Sequence, residues 1–344
     1  MTRSTPHAPT PEPHGTAHHH GHGGNHGHGG GHEHGGNHGH GGNHGHGGNH
    51  GHGGGHEHGG NHGHAHGHTA QDDALLVAVL DLDAELFAPY LTAVTSGIAE
   101  LAGDGVSHIV DLGAGTGTGT FALLERFPAA RVTAVDSSPS MLALLTERAR
   151  AKGLGDRVRT LETDAGTGLA GITDADLVWA SASLHHVDDP AAALAGVHAA
   201  LRPGGLVAVA EMDGMPRFLP EDAVADRPGL EARCREALGA VNAEQVPHMG
   251  ADWGTLLTAA GLAVAYERTE PLELRAPLPA QAGAYAHLVL DRIRGALEGR
   301  IDPADLDALA ALLDGGPGDV RHREDLVVRS TRELWVARRP ADTP

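Results

Sequence analysis

From Val106 to Glu211, short apolar runs alternate with longer segments whose apolar residues recur every three or four positions. That alternation constrains the fold more than any other feature of the chain. Strands separated by helices do not pair as hairpins; they line up as a mainly parallel sheet with helices packed on it. The first strand is His108–Leu112, and residues 113–119 form a glycine-rich turn. Phe121, Leu124 and Phe127 then lie on one helical face, which Pro128 ends. Arg131–Val135 is the second strand. Ser138 caps the next helix with Pro139 at its first position, and Met141, Leu142 and Leu145 face inward. Arg157–Thr163 and Asp176–Ala180 are strands three and four. Asp189 and Pro190 repeat the cap-plus-proline start, with Leu194, Val197 and Leu201 as the buried stripe. A turn at Pro203-Gly-Gly205 leads into strand five, Leu206–Glu211.

Beyond Gly214 the pattern loosens. Helices are expected over Glu221–Leu238 and Trp253–Ala260, the latter stopped by Gly261, and Leu262–Leu274 reads as a long strand. Two amphipathic helices follow, Ala280–Leu297 and Pro303–Leu313, with Asp302 as the cap of the second. Arg332–Ala337 is the last strand. About fifty residues therefore separate the final two strands, and their helices suit a cap over the sheet.

The first seventy residues are of another kind. They hold 22 of the 29 histidines and 24 of the 51 glycines, and no Phe, Trp, Tyr, Leu, Ile or Val. Without apolar surface to bury, such a segment is expected to be a disordered tail. Residues 23–64 are seven hexads with paired histidines, among them His26, His28, His32, His34, His38 and His40. Neutral imidazoles on a flexible string suit nickel, zinc or copper, so these are candidate metal ligands. A low-complexity expansion with no cellular role has the same composition.

The formal net charge is −20, nearly all of it outside the tail. An acidic body with few aromatics is a poor surface for phosphate backbones, which disfavours nucleic acid as a partner. The sequence has no apolar run of membrane-spanning length. One cysteine, Cys234, excludes an intramolecular disulfide framework and fits a reducing, cytoplasmic setting. Arg233 and Arg235 flank that thiol and would lower its pKa, but no base accompanies it, and it reads as a helix residue.

The most informative segment is Asp111-Leu-Gly-Ala-Gly-Thr-Gly117. The dinucleotide fingerprint requires a third glycine three positions after the second, where this chain has Thr118 or Thr120, so a nicotinamide-dependent oxidoreductase is disfavoured. An acidic residue followed by glycines at alternate positions resembles the first motif of the class I S-adenosylmethionine-dependent methyltransferases. Asp136 ending strand two, Asp164 ending strand three, the segment Asp176–His186, and Leu201-Arg-Pro-Gly-Gly-Leu206 match later motifs of that family in order.

The resemblance implies a Rossmann-like, seven-stranded, mostly parallel sheet over residues 71–344. Residues 106–212 would form the cofactor-binding core, and 213–344 the substrate cap and last strands. It further implies S-adenosyl-L-methionine as cofactor, held by Asp111, Gly113, Ala114, Gly115, Gly117, Asp136, Ser137, Met141, Asp164, Ala165 and Ser181. Asp136 would meet the ribose hydroxyls and Asp164 the adenine amino group, although Asp-Ala-Gly also makes an ordinary turn. His185 and His186 stand where the methyl would be transferred. Either could act as a base, or positioning alone could suffice. The acidic body and the cap favour a small-molecule acceptor. The reading from another class is a metal-handling protein whose methyltransferase-like body is a sensor or carrier.

Overall fold

The computed structural model describes residues 70–341, apart from Gly168 and Ala170. The expected His/Gly-rich tail and its candidate metal ligands, His26, His28, His32, His34, His38 and His40, lie outside the described residues. The elements run α1 (Ala70–Leu86), α2 (Ala88–Ala102), β1 (His108–Leu112), α3 (Thr118–Arg126), β2 (Arg131–Asp136), α4 (Pro139–Ala151), β3 (Val158–Glu162) and β4 (Ala175–Ser181). They continue with α5 (Pro190–Ala200), β5 (Leu201–Met212), α6 (Leu230–Gln245), α7 (Trp253–Ala259), β6 (Ala263–Leu274), α8 (Ala282–Ala296), α9 (Pro303–Ala311) and β7 (Val328–Arg338).

The seven strands form one sheet in the order β3-β2-β1-β4-β5-β7-β6. Strands β1 to β5 pair in parallel, and β7 runs antiparallel between β5 and β6. The fold is thus α/β and Rossmann-like, as expected. Its central strands are apolar because both their faces are covered: Ile109, Val110, Leu177 and Val178 are wholly buried. On one face, Val94 and Ile98 of α2 and Leu123 and Leu124 of α3 pack on Ile109, Val132 and Leu177. On the other, Leu194 and Val197 of α5 and Leu257 of α7 pack on Val110, Val178 and Val209. The expected caps are in place: Ser138 Oγ accepts from Met141 N at 3.3 Å, Asp189 from Ala192 N at 3.0 Å, and Asp302 from Ala304 N at 2.9 Å.

Three expectations are corrected. The helix expected over Glu221–Leu238 begins only at Leu230. Pro228 disfavours helical backbone at Arg227, and Gly229 takes a left-handed conformation (φ 71°) while donating to Glu221 O. The turn expected at Pro203-Gly-Gly205 lies within β5, which starts at Leu201, so Leu201 ends the helical stripe rather than extending it. Leu201 pairs with Ala175, a register shift follows, and Gly204 N and Gly205 O bond to Arg339 of the chain leaving β7. The residues that break a helix here make a bulge. β7 is also longer than Arg332–Ala337, because β6 pairs with it from Val328 to Arg338.

Between β6 and β7, α8 and α9 form the expected cap. Tyr285, Val289, Leu290 and Ile293 of α8 share a core with Leu309 of α9, Leu230 and Leu238 of α6, and Leu86 and Phe87 at the end of α1. Among the described residues no helix is long and apolar enough to cross a membrane.

Candidate functional site

The sheet order reverses between β1 and β4, so their carboxyl ends open a crevice, the usual ligand position in an open α/β sheet. The glycine-rich turn after β1 crosses that crevice. Gly113 N and Ala114 N donate to Val135 O at 2.8 and 2.9 Å. Gly113 has φ 73°, and a Cβ there would stand 2.3 Å from Ser183 Cβ, so only glycine lets the turns after β1 and β4 meet. Gly115 is also left-handed, with only Leu80 of α1 within 4 Å of a built Cβ. Gly117 (φ 88°) precedes α3.

Asp136 ends β2 beside this turn. Its Oδ2 accepts from Gly115 N and its Oδ1 from Ser138 N, both at 2.8 Å. One carboxylate thus fixes both the turn after β1 and the start of α4. Each of its oxygens has a second lone pair for a ligand hydroxyl. Ser137 beside it is exposed, while Met141 on the first turn of α4 is buried. Thr163 N bonds Asp136 O at 3.1 Å, bringing the ends of β2 and β3 level. There Asp164 is exposed and Ala165 half-buried, and Asp164 Oδ1 accepts from Gly166 N at 2.6 Å, the local turn that Asp-Ala-Gly allows. Ser181 is exposed at the end of β4.

Asp111 is placed differently from an open mouth of strand one. It is 2% exposed and accepts from Thr120 Oγ1 at 2.5 Å. Burial pushes its pKa up to about 7, against the hydrogen bond from Thr120. Thr120, which breaks the dinucleotide fingerprint, is thus the hydroxyl that serves this carboxylate.

After Ser181 the chain turns sharply. Ala182 adopts φ 49°, uncommon for a residue with a Cβ, and Ser183 Oγ donates to Leu112 O at 2.8 Å. Ser183 N and Leu184 N both donate to Glu211 Oε1, at 3.1 and 2.9 Å. The other oxygen, Glu211 Oε2, lies 2.6 Å from His185 Nδ1, and both side chains are buried. The His186 ring is 4.1 Å from that of His185. His186 is exposed to solvent, while the protein packed against it, then His185 and Arg292, push its pKa down to about 4 against the pull of Glu211. The two adjacent histidines, which the sequence leaves equivalent, thus differ in burial: His185 is enclosed against Glu211 and His186 is open to solvent.

Helix α1 packs beside the glycine turn and α4, with Leu80 next to Gly115. Arg148 of α4 makes a bidentate pair with Asp81 (2.7 and 2.7 Å), and Ser140 donates to Asp73 at 2.7 Å. Further along, Asp83 Oδ1 accepts from Tyr285 of α8 and from buried Arg332 of β7, each at 2.6 Å. Two pockets lie elsewhere. One of about 720 Å³ is lined by Asp252, Thr255 and Trp335, and one of about 310 Å³ by Tyr90, Tyr266 and Arg332. Neither is lined by the glycine turn or by residues 183–186.

Cys234 is buried at 1% exposure, and burial pushes its thiol up to about 11 in spite of Arg233 and Arg235. Burial thus outweighs the flanking arginines, and Cys234 sits on α6 as a buried helix residue. Among the described residues no group of three or more His, Cys, Asp or Glu could hold a metal ion. Sequence reasoning missed Thr120, Ser183 and Glu211. The signal for Glu211 was an acidic residue at the end of an otherwise apolar strand, where a carboxylate needs donors.

Residues 110–207 match the family model described as a methyltransferase domain. Trans-aconitate 2-methyltransferase of Enterobacter sp. is 36% identical over 148 residues, 42% of this chain and 56% of that protein. The same enzyme of Paracidovorax citrulli is 35% identical over 153 residues, 44% of this chain and 56% of the relative. The matched region spans about half the length of these relatives. Among solved structures, phosphoethanolamine N-methyltransferase 2 of Haemonchus contortus in complex with S-adenosyl-L-methionine is 17% identical, with a TM-score of 0.46 over 79% of this chain and 58% of that one. The acidic–glycine turn, its partner carboxylate on β2 and the match to a methyltransferase domain fall on the same strands, so residues 110–207 are similar to a methyltransferase domain.

Proposed function

We propose that the chain transfers a methyl group from S-adenosyl-L-methionine to a small-molecule acceptor, with residues 71–344 acting as one catalytic domain. The observation that carries this reading is Asp136, whose two oxygens hold the amides of Gly115 and Ser138 at the crevice and keep lone pairs for vicinal hydroxyls. The cradle fits such a ligand. A side chain at Gly113 would drive the turn after β1 away from Ser183, and the ends of β2 and β3 lie level beside it. When bound, the cofactor supplies a sulfonium-activated methyl group. Asp136 and Asp164 would hold its ribose and adenine, and the turn at Gly113, Ala114, Gly115 and Gly117 would pass beneath it. Asp111, buried behind the turn and held by Thr120, would support the turn from beneath. Helix α1 and the cap exclude water, and the acceptor enters on the side of residues 183–186.

Calorimetry tests the reading. The wild-type chain should bind S-adenosylmethionine and S-adenosylhomocysteine, and Asp136→Ala should lose about 100-fold or more in affinity, two charge-assisted hydrogen bonds being removed. A wild type that binds neither compound would sink it. Because two relatives are named trans-aconitate 2-methyltransferases, trans-aconitate heads the panel of small acceptors to be tried.

A further inference from the structure

We propose that the groove between α2 and the last two strands is a second ligand site, which takes a free monocarboxylate with an apolar tail, its carboxylate on Arg332 and its tail along α2. The site does not depend on the methyltransferase reading, and a chain that bound no S-adenosylmethionine would leave it standing.

The groove encloses about 310 Å³ over a buried apolar floor of Val94, Ile98, Leu334 and Val336. Three observations point to an occupant. The first is Arg332, which lines the groove and is 7% exposed. Its Nη2 donates to Asp83 at 2.6 Å, yet its Nε is buried with no partner among the described residues. Leaving a buried charged donor unserved is costly, and Asp83 is itself shared with Tyr285. The second is Gly97, on the groove side of α2. Glycine inside a helix weakens it relative to alanine, and a Cβ built there would meet nothing within 4 Å. Packing does not require this glycine; its missing side chain widens the groove. The third is the rim, where Leu101 and Tyr266 stand exposed, two of the three large apolar side chains so placed among the described residues.

The groove is polar at one end and apolar along the rest. Arg332 pairs with Met212 at the carboxyl end of β5, and Tyr90 lies in the first turn of α2 close enough for Arg332 to act on its hydroxyl. Burial pushes Tyr90 up to about 12, so that hydroxyl keeps its proton and can donate. Of the charges on the rim, Arg268 and Glu270 neutralise each other at 3.1 Å, and Glu100 sits near the far end of α2. An anion is therefore favoured beside Arg332. A carboxylate has oxygens for both Arg332 and Tyr90, and its tail would pass Gly97 toward Leu101. An ammonium would meet the guanidinium with like charge, and an alcohol would bring no charge to it.

Calorimetric titration of the full chain with decanoate, decanol and decyltrimethylammonium tests the site. One decanoate should bind per chain, about 10-fold or more tighter than either of the other two. Gly97→Leu fills the groove where a Cβ meets nothing, so it should fold as stably as the wild type and weaken decanoate by about 10-fold or more. Arg332→Gln should bring decanoate down to the affinity of decanol. Equal binding of the three probes, uptake of several decanoates per chain, or no decanoate binding would overturn the proposal. So would an affinity unchanged in Gly97→Leu, or competition between decanoate and S-adenosylmethionine for one site. If Arg332→Gln does not fold, the probe comparison and Gly97→Leu decide. A wild type that takes decanoate but not S-adenosylmethionine would instead overturn the methyltransferase reading.

Discussion

The parallel half of the molecule, β1 to β5 with its helices, and the half that follows Met212 bury their apolar residues by different means. In the first, each strand and the helix after it form a local pair, and the core repeats along the chain: Ile109 with Leu123, Val178 with Leu194. In the second, one core is assembled from distant segments. Leu86 of α1, Leu230 of α6, Leu290 of α8, Leu309 of α9 and Val328 of β7 meet there although more than 240 positions separate the first from the last. Local pairing supports a rigid crevice, whereas the cap depends on the whole chain being in place. The arrangement couples α1, which packs beside the glycine turn, to the helices of the cap.

The largest effect should come from breaking that distant core. Leu290→Ala removes a fully buried side chain and should cost about 3–4 kcal/mol. Because α1 and β7 belong to the same cluster, denaturation of the variant should remain a single transition. Two transitions would show that the cap folds apart from the sheet. Next is the contact on which the crevice depends: Gly113→Ala places a Cβ against Ser183 at a left-handed backbone position, a cost of about 2–3 kcal/mol. Chemical denaturation would measure it. A loss below about 0.5 kcal/mol would mean that the turns after β1 and β4 are not held together as tightly as the structure shows.

The same contrast explains what could be read from the sequence. Strands β1, β2 and β4 are legible because their middles are covered on both faces, so each is a short, mostly apolar run between turn residues. Ser138, Asp189 and Asp302 were legible because capping needs only neighbours two or three residues away. Glu211 and Thr120 were not, because their roles depend on partners brought up by the sheet: Ser183, Leu184 and His185 for one, Asp111 for the other. The start of α6 was missed for a related reason. Ala223, Val224 and Leu230 look like one periodic stripe, but Pro228 and Gly229 interrupt the backbone, and Ala223 and Val224 pack on the cap core from a loop.

Two carboxylates in the parallel half sharpen the comparison on a smaller scale. Asp176, at the start of β4, is buried, which alone would raise its pKa. Arg202, the amides of Ser107 and His108, and the Ser107 hydroxyl outweigh that and bring it to about 2. Its pKa is therefore below the unfolded value, so it stabilises the fold above pH 4. About 2 kcal/mol should be lost as the pH falls from about 4 through 2. Asp176→Asn should remove that acid sensitivity, and a variant as acid-sensitive as the wild type would contradict the assignment.

Asp111 has the opposite sign. With burial dominant and Thr120 its one side-chain donor, its folded pKa of about 7 lies above the unfolded value. The folded state holds the proton between pH 4 and 7, so this residue's contribution to stability declines as the pH rises through that window. Thr120→Val deletes the donor. A hydrogen bond to a charged oxygen is worth more than one to a neutral carboxyl, so the variant should lose about 1 kcal/mol at pH 5 and about 1.5 kcal/mol at pH 8. In the background of Asp111→Asn that pH dependence should vanish, because nothing titrates at that position. An equal loss of about 1.5 kcal/mol at both pH values in the wild-type background would mean that Asp111 is already ionised at pH 5. Burial would then not be the dominant influence on the carboxylate beneath the glycine turn.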